Sequence, residues 1–191
     1  MNKSLSRGDT LTKLARAAIA QELGIRFDEL DLIETGEMQE KAATFVTLLM
    51  HGKLRGCIGT LEAHRSLIED VRANAVAAAF HDLRFEPLSA GELAHVQLEV
   101  SVLSVPEAMH AHSEDIACFR LRPGIDGVVI KFGAHKATFL PQVWDQLPKA
   151  TDFMAHLKVK AGLAADFWHP EILLYKYQVN KYREHEDRSS E

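Results

Sequence analysis

Leu11, Leu14, Ala15, Ala18 and Ile19 recur at helical spacing, with Asp9 or Thr10 placed to cap the helix. Gly24, just past Leu23, suits a left-handed C-terminal cap. The stretch from Asp28 to Gln39 is acidic and aperiodic and reads as a connection. Phe45 to Met50 is rich in strand formers, His51-Gly52 offers a tight turn, and Lys53 to Leu61 runs back, which predicts a hairpin. Ser66-x-x-Glu69 is a capping-box pattern ahead of Leu67, Ile68, Val71, Ala75, Ala78 and Ala79. That helix is expected to stop near Phe80-His81-Asp82, before Pro87. Ser89-x-x-Glu92 predicts one short turn, and Val96, Leu98, Val100 and Val102 alternate with polar residues as a half-buried strand.

The second half repeats this order. Gly127 to Phe132 predicts a strand, Gly133-Ala134 a turn and His135 to Leu140 the return strand. Pro141 opens a helical region with Val143, Trp144 and Leu147. A further helix carries Phe153, Met154, Leu157 and Ala161, ended by Gly162, and a last strand is expected from Ile172 to about Val179. Strand pair, helix, strand occurs twice, which predicts an α+β protein of two similar halves sharing a mostly antiparallel sheet. One domain is expected over residues 1–191, divisible into lobes of about 10–105 and 106–182, with 183–191 a frayed tail. A Rossmann fold would need regular strand–helix alternation and a Gly-rich phosphate turn, and neither is present.

Composition narrows the functional classes. Of 191 residues, 47% are apolar and 26% charged, as in ordinary globular proteins, and the net charge of −5 carries no basic block that would mark nucleic-acid binding. No apolar run is long enough for a membrane helix, and the N-terminus lacks the apolar core of a signal peptide, so a cytoplasmic location is expected. Cys57 and Cys118 are too few for a disulfide framework. His110-x-His112 is the only close histidine pair and no metal-ligand spacing surrounds it, so no metal is expected. Serine-hydrolase and phosphate-loop patterns are also missing.

The chemistry concentrates around Cys57. On a regular strand Arg55, Cys57, Gly59 and Leu61 share a face, with the bases of Arg55 and Cys57 roughly 7 Å apart. A guanidinium at that range favours thiolate over thiol. Gly56 and Gly59 carry no bulk, which fits a bulge, a ligand or another backbone coming close; it equally fits tight packing around a small buried cysteine. His64 is a candidate base or an ordinary loop histidine. His81, Asp82 and Arg84 either line a cleft or form a surface ion pair, and Glu99 is either a buried or an exposed acid.

Leu54-Arg55-Gly56-Cys57-Ile58-Gly59-Thr60 resembles the signature of the AMMECR-type family, component A of the AmmeMemoRadiSam group. Asp82-x-Arg84-Phe85-x-Pro87-Leu88, Glu99 to Leu103, Gly124 to Trp144, and Lys160-Ala161-Gly162-Leu163 with Trp168 continue the resemblance in order over about residues 10–180. It implies a two-repeat α+β arrangement with a curved, barrel-like sheet. It also implies a largely uncharacterised function, with Memo-type and radical SAM proteins as partners. No cofactor motif of either partner is present, so hard chemistry would lie with them and no cofactor is expected here. Carried onto this chain, the resemblance marks Cys57 and Arg55 as candidate catalytic residues. Asp82, Arg84, Glu99 and Gln142, with Gly56 and Gly59, are candidate contacts to a small substrate. Two functions follow: a thiol-centred enzyme, or a non-catalytic binding or adaptor module for a metabolite or a partner protein.

Overall fold

The computed structural model of the protein describes residues 6–27 and 36–184. The chain divides into two compact units, Met1–Leu103 with Asn180–Glu191, and Ser104–Val179.

In the first unit, helix α1 (Arg7–Glu22) begins one turn earlier than its apolar spacing predicts. Ser6 and Asp9 close a reciprocal capping box, so Asp9 is the third helical residue and not the cap. Gly24 takes the expected left-handed conformation, at φ 69°. Of the expected connection, residues 28–35 lie outside the described residues, and Gly36–Gln39 is a single helical turn, α2. A short ladder of β1 (Lys41–Ala42) with β4 (Arg65–Ser66) flanks the hairpin of β2 (Thr44–Met50) and β3 (Lys53–Gly59). His51 and Gly52 both have positive φ, the geometry of a two-residue turn matched to strand twist. Helix α3 (Leu67–Phe80) starts on the predicted Ser66–Glu69 box. The short turn α4 (Ala90–Leu93) and strand β5 (Val96–Leu103) follow as expected. Strands β5 and β2 pair antiparallel, and Val46, Leu48, Leu98 and Val100 form a buried layer with α1 and α3.

The second unit holds β6 (Glu107–Ala108), α5 (Glu114–Arg120), the β7 (Gly127–Phe132) and β8 (His135–Phe139) hairpin, and a 3-10 turn at Pro141–Asp145. After these come α6 (Ala150–Lys160) and β9 (Leu173–Tyr177). Its core is aromatic. Trp144 stacks on Phe153 at 3.9 Å, and Phe139 meets the same ring edge-on at 5.3 Å. Lys158 is fully enclosed and balanced by the Glu114 carboxylate, at 2.7 and 2.8 Å.

The repeat is topological. β2–β3–α3–β5 and β7–β8–α6–β9 follow the same path, and the third strand pairs antiparallel with the first in both. Instead of one shared sheet, there are two four-stranded sheets, not closed into a barrel: one in the order β10 (Val179–Arg183), β5, β2, β3, the other in the order β6, β9, β7, β8. The expected last strand splits at Gln178: β9 completes the second sheet, and β10 joins the edge of β5 in the first. The predicted frayed tail therefore starts too early, since Arg183 is in a strand and Glu184 is bound, while 185–191 lie outside the described residues. The Glu184 carboxylate takes Arg16 Nε and Nη2 at 2.5 and 2.6 Å, and Arg16 also donates to the Leu93 and Val96 carbonyls. Among the described residues no helix is long and apolar enough to cross a membrane.

A Cβ at Gly56 would lie 2.1 Å from the Ala78 carbonyl oxygen of α3, whereas one at Gly91 would meet nothing within 4 Å. Gly56→Ala is expected to cost about 2–3 kcal/mol in urea unfolding and Gly91→Ala less than about 0.5 kcal/mol. Equal midpoints for the two variants would refute the close approach of helix and strand.

Candidate functional site

The strand that carries Cys57 is not regular. Leu49 pairs with Leu54, but Leu48 pairs with Gly56 and Thr47 with Cys57, so Arg55 is an extra residue in a β-bulge. The expectation that Arg55 and Cys57 alternate onto one face assumed an unbulged strand, and the bulge breaks it. Continued without the bulge, the register of the His51-Gly52 turn would oppose Cys57 to Val46, which is buried in the core. With it, Gly56 opposes buried Leu48, on the side where α3 packs, and half-buried Cys57 opposes half-buried Thr47 on the other face.

Arg55 is occupied elsewhere. Its side chain is 14% exposed, with Nε and Nη2 on the Glu92 carboxylate at 2.9 and 3.2 Å and Nη1 enclosed without a hydrogen-bond partner. Arg55, with the Ser89 backbone N–H, holds the Glu92 carboxyl down at about 2.

The cation beside Cys57 is Arg84. Cys57 donates its backbone N–H to Asp82 Oδ2 at 2.9 Å, and the Cys57 carbonyl accepts from Arg84 Nη2 at 3.2 Å. Arg84 also grips the Asp82 carboxylate through Nε at 2.9 Å and Nη2 at 2.6 Å. Strand β3 is an edge, so these two side chains satisfy backbone groups that a neighbouring strand would otherwise pair. Arg84 holds the buried Asp82 carboxyl well below the usual carboxylate range, with the Cys57 N–H adding to the effect. Asp82 in turn raises the Arg84 guanidinium, and negative charge on Cys57 acts in the same direction. Arg84 is 56% exposed and lies 5.5 Å from the Phe85 ring centre. On the opposite side of the sulfur, the Thr47 hydroxyl donates to Cys57 Sγ at 3.3 Å.

The remaining candidates separate. Glu99 is a buried acid, 8% exposed, and carries Arg183 at 2.7 Å and Lys181 at 3.6 Å. It stands opposite Thr47 across β2–β5, in the same transverse row as Cys57. Gly56 lies against α3, and Gly59 faces Thr44 and the Phe45 ring, where a Cβ would fall 2.3–2.5 Å from ring and carbonyl atoms. Gln142 is in the second unit, exposed on the Pro141–Asp145 turn. His64 and His81 are exposed.

Sequence reasoning missed a buried polar cluster at the end of the signature. Asp70 is fully buried and accepts from Thr44 N and Oγ1, Thr60 Oγ1, Asn74 Nδ2 and the Arg65 guanidinium, all at 2.7–3.1 Å. The available signal was Asp70 and Asn74 at i, i+4 inside the apolar stripe of α3, a placement that demands partners. Thr47, Lys181 and Arg183 were missed as well, because strand register and sheet partner decide their neighbours.

A two-unit protein built from a repeated hairpin–helix–strand, with a cysteine held at a capped sheet edge, is the class these features define. The AMMECR1 family model matches residues 12–182, and the chain belongs to that family. A protein from Methanothermobacter thermautotrophicus is 36% identical over 191 residues, covering 95% of this chain and 96% of the relative. One from Methanopyrus kandleri is 32% identical over 194 residues, covering 96% and 91%. The crystal structure of an uncharacterized protein from Pyrococcus horikoshii superimposes with a TM-score of 0.76 at 30% identity, over 93% of this chain and 91% of that one.

Glu92 and Asp82 both ionise more readily in the fold than when unfolded, so their stabilisation is complete above about pH 4.5 and is lost as pH falls toward 2. An Asp82→Asn/Glu92→Gln double variant should be less stable at pH 7, and its unfolding free energy should fall less steeply between pH 4.5 and 2. Parallel pH–stability curves for variant and parent would refute this.

Proposed function

We propose that this AMMECR1-family protein is a thiol-centred enzyme of the cytoplasm, with Cys57 Sγ as the reacting atom and Arg84 as the cation beside it. The observation that carries the reading is the three-sided hold on Cys57. Asp82 and Arg84 fix its peptide, and Thr47 donates to its sulfur. A hydroxyl donor and a guanidinium are the groups that stabilise negative charge on sulfur, which a nucleophilic thiol needs. Arg55 takes a supporting part, fixing the bulge through Glu92. The substrate in this reading is a small metabolite or modified group handled together with Memo-type and radical SAM partners.

One observation favours the second reading, a binding or adaptor module for those partners or a metabolite. Arg55, Gly56, Gly59 and Thr60 of the signature are all engaged in internal contacts, which explains most of the motif without chemistry.

The rate of Cys57 alkylation by iodoacetamide against pH separates the two. The enzyme reading expects fast modification at neutral pH that disappears in Cys57→Ser and slows about five- to tenfold in Arg84→Gln, with recovery in Arg84→Lys. Slowing confined to Arg55→Gln would return the activating role to Arg55. A rate equal to that of a free thiol peptide, unaffected by either arginine, would leave the adaptor reading.

A further inference from the structure

The face of the first sheet that carries Cys57 holds a second feature, and its residues all belong to one unit. Cys57 opposes Thr47, and Thr47 opposes Glu99, so three side chains on three adjacent strands form one row. Opposed residues in antiparallel strands lie about 4.5–5.5 Å apart at Cα, which sets Glu99 about 10 Å from Cys57 across the sheet. Glu99 is buried on the face turned away from the α1–α3 layer. A lone carboxylate there would be costly, and it is offset by two cations from the next strand, Arg183 and Lys181. Tyr182, between them, packs into the core, so strand alternation alone puts both cations on the outer face.

Two cations against one carboxylate leave one surplus positive charge. Both cations stay open to solvent, Lys181 at 50% and Arg183 at 65% exposed. Arg183 engages Glu99 through Nε, and its lysine neighbour stands 3.6 Å from the other carboxylate oxygen. Glu99 therefore works as an internal counter-ion that points two long, otherwise mobile side chains along the row. A planar guanidinium beside an ammonium, with a net charge of one, matches a carboxylate better than a doubly charged phosphate.

Resting on the thiol reading above, we infer that Lys181 and Arg183, oriented by Glu99, form an anchor for the carboxylate of an elongated substrate. Its reacting carbon reaches Cys57 along the Cys57–Thr47–Glu99 row; because the cations stand on β10, one strand beyond Glu99, and reach back to it, the span is about 10–15 Å. Lys181 and Arg183 touch the substrate; Glu99 is a positioning residue, and the span between anchor and sulfur selects substrate length.

A graded series of iodoacetamides tests this. Each carries a terminal carboxylate about 5 to 25 Å from the iodomethylene carbon, and each is paired with its uncharged carboxamide analogue. In every reaction the Cys57 sulfur forms a bond to carbon, iodide leaves, and the thiol proton passes to solvent. The rate ratio of acid to carboxamide probe is expected to peak, at about fivefold, where the spacing is about 10–15 Å. The peak should shrink with added salt and vanish in a Lys181→Gln/Arg183→Gln variant. A Glu99→Gln/Lys181→Gln/Arg183→Gln variant removes the uncompensated buried charge and gives the same readout if the double variant folds poorly. A ratio that is flat with spacer length, or a peak that persists in both variants, would overturn the anchor. Because the readout is a ratio, it stands whatever the absolute rate. Slow, Arg84-independent reaction of the neutral probes counts against the thiol reading, while a flat length series with fast neutral probes counts against the anchor alone.

Discussion

Arg55 has no partner across the β2–β3 ladder, and the register on its two sides differs by one residue. Most of the first unit's functional geometry depends on that single insertion. It turns Gly56 toward α3, where the absence of a side chain lets the helix bring the Ala78 carbonyl against the strand. The helix therefore ends close to β3, and Asp82, four residues past Ala78, reaches the Cys57 N–H. The same insertion moves Cys57 from opposite Val46, in the core, to opposite Thr47 on the outer face. A bulge is held only if its extra side chain has somewhere to go, and the Glu92 carboxylate supplies that place.

The second unit meets the same edge problem with different chemistry. Strand β8 occupies the position of β3, and α6 that of α3. Groups from the C-terminal end of α6 again meet the exposed edge: Lys160 donates to the Thr138 carbonyl, and the Ala161 carbonyl meets His135 Nδ1. A glycine is again needed for a close approach, but here it is Gly127 under the Tyr177 ring. The architecture repeats while the residues diverge, because edge capping asks for a donor or an acceptor at a place and not for one residue type.

Local signals in the sequence translated well. The Ser66–Glu69 box, the His51-Gly52 turn, the glycine caps at Gly24 and Gly162, and the alternation of Val96 to Val102 each describe a few consecutive residues, and each element formed as expected. Signals that need a partner did not. Alternation from Ile172 onward looks the same whether the strand stays in one sheet or crosses to another, so the switch at Gln178 was hidden. The bulge was hidden because Gly56 and Gly59 fit several explanations, and register is a property of two strands. Helix α5 leaves no signal in the sequence because Glu114–Arg120 is too short for a clear period. At the site, the sequence singled out Cys57, Asp82 and Arg84, which do meet in space, but it paired the thiol with Arg55 through an alternation that the bulge cancels.

The strand switch has a consequence for biosynthesis. The first sheet is built from β2, β3 and β5 early in the chain and closes with β10, which is translated only after the whole second unit. Until β10 emerges, Glu99 lacks both of its cations, Arg16 lacks Glu184, and the outer edge of β5 has no neighbour. The first unit therefore stays a three-stranded sheet until β10 is made, one residue behind β9, the interior strand that the second sheet also waits for. Vectorial synthesis thus gives the unit begun first no head start: both sheets are completed by one short stretch near the end of the described chain.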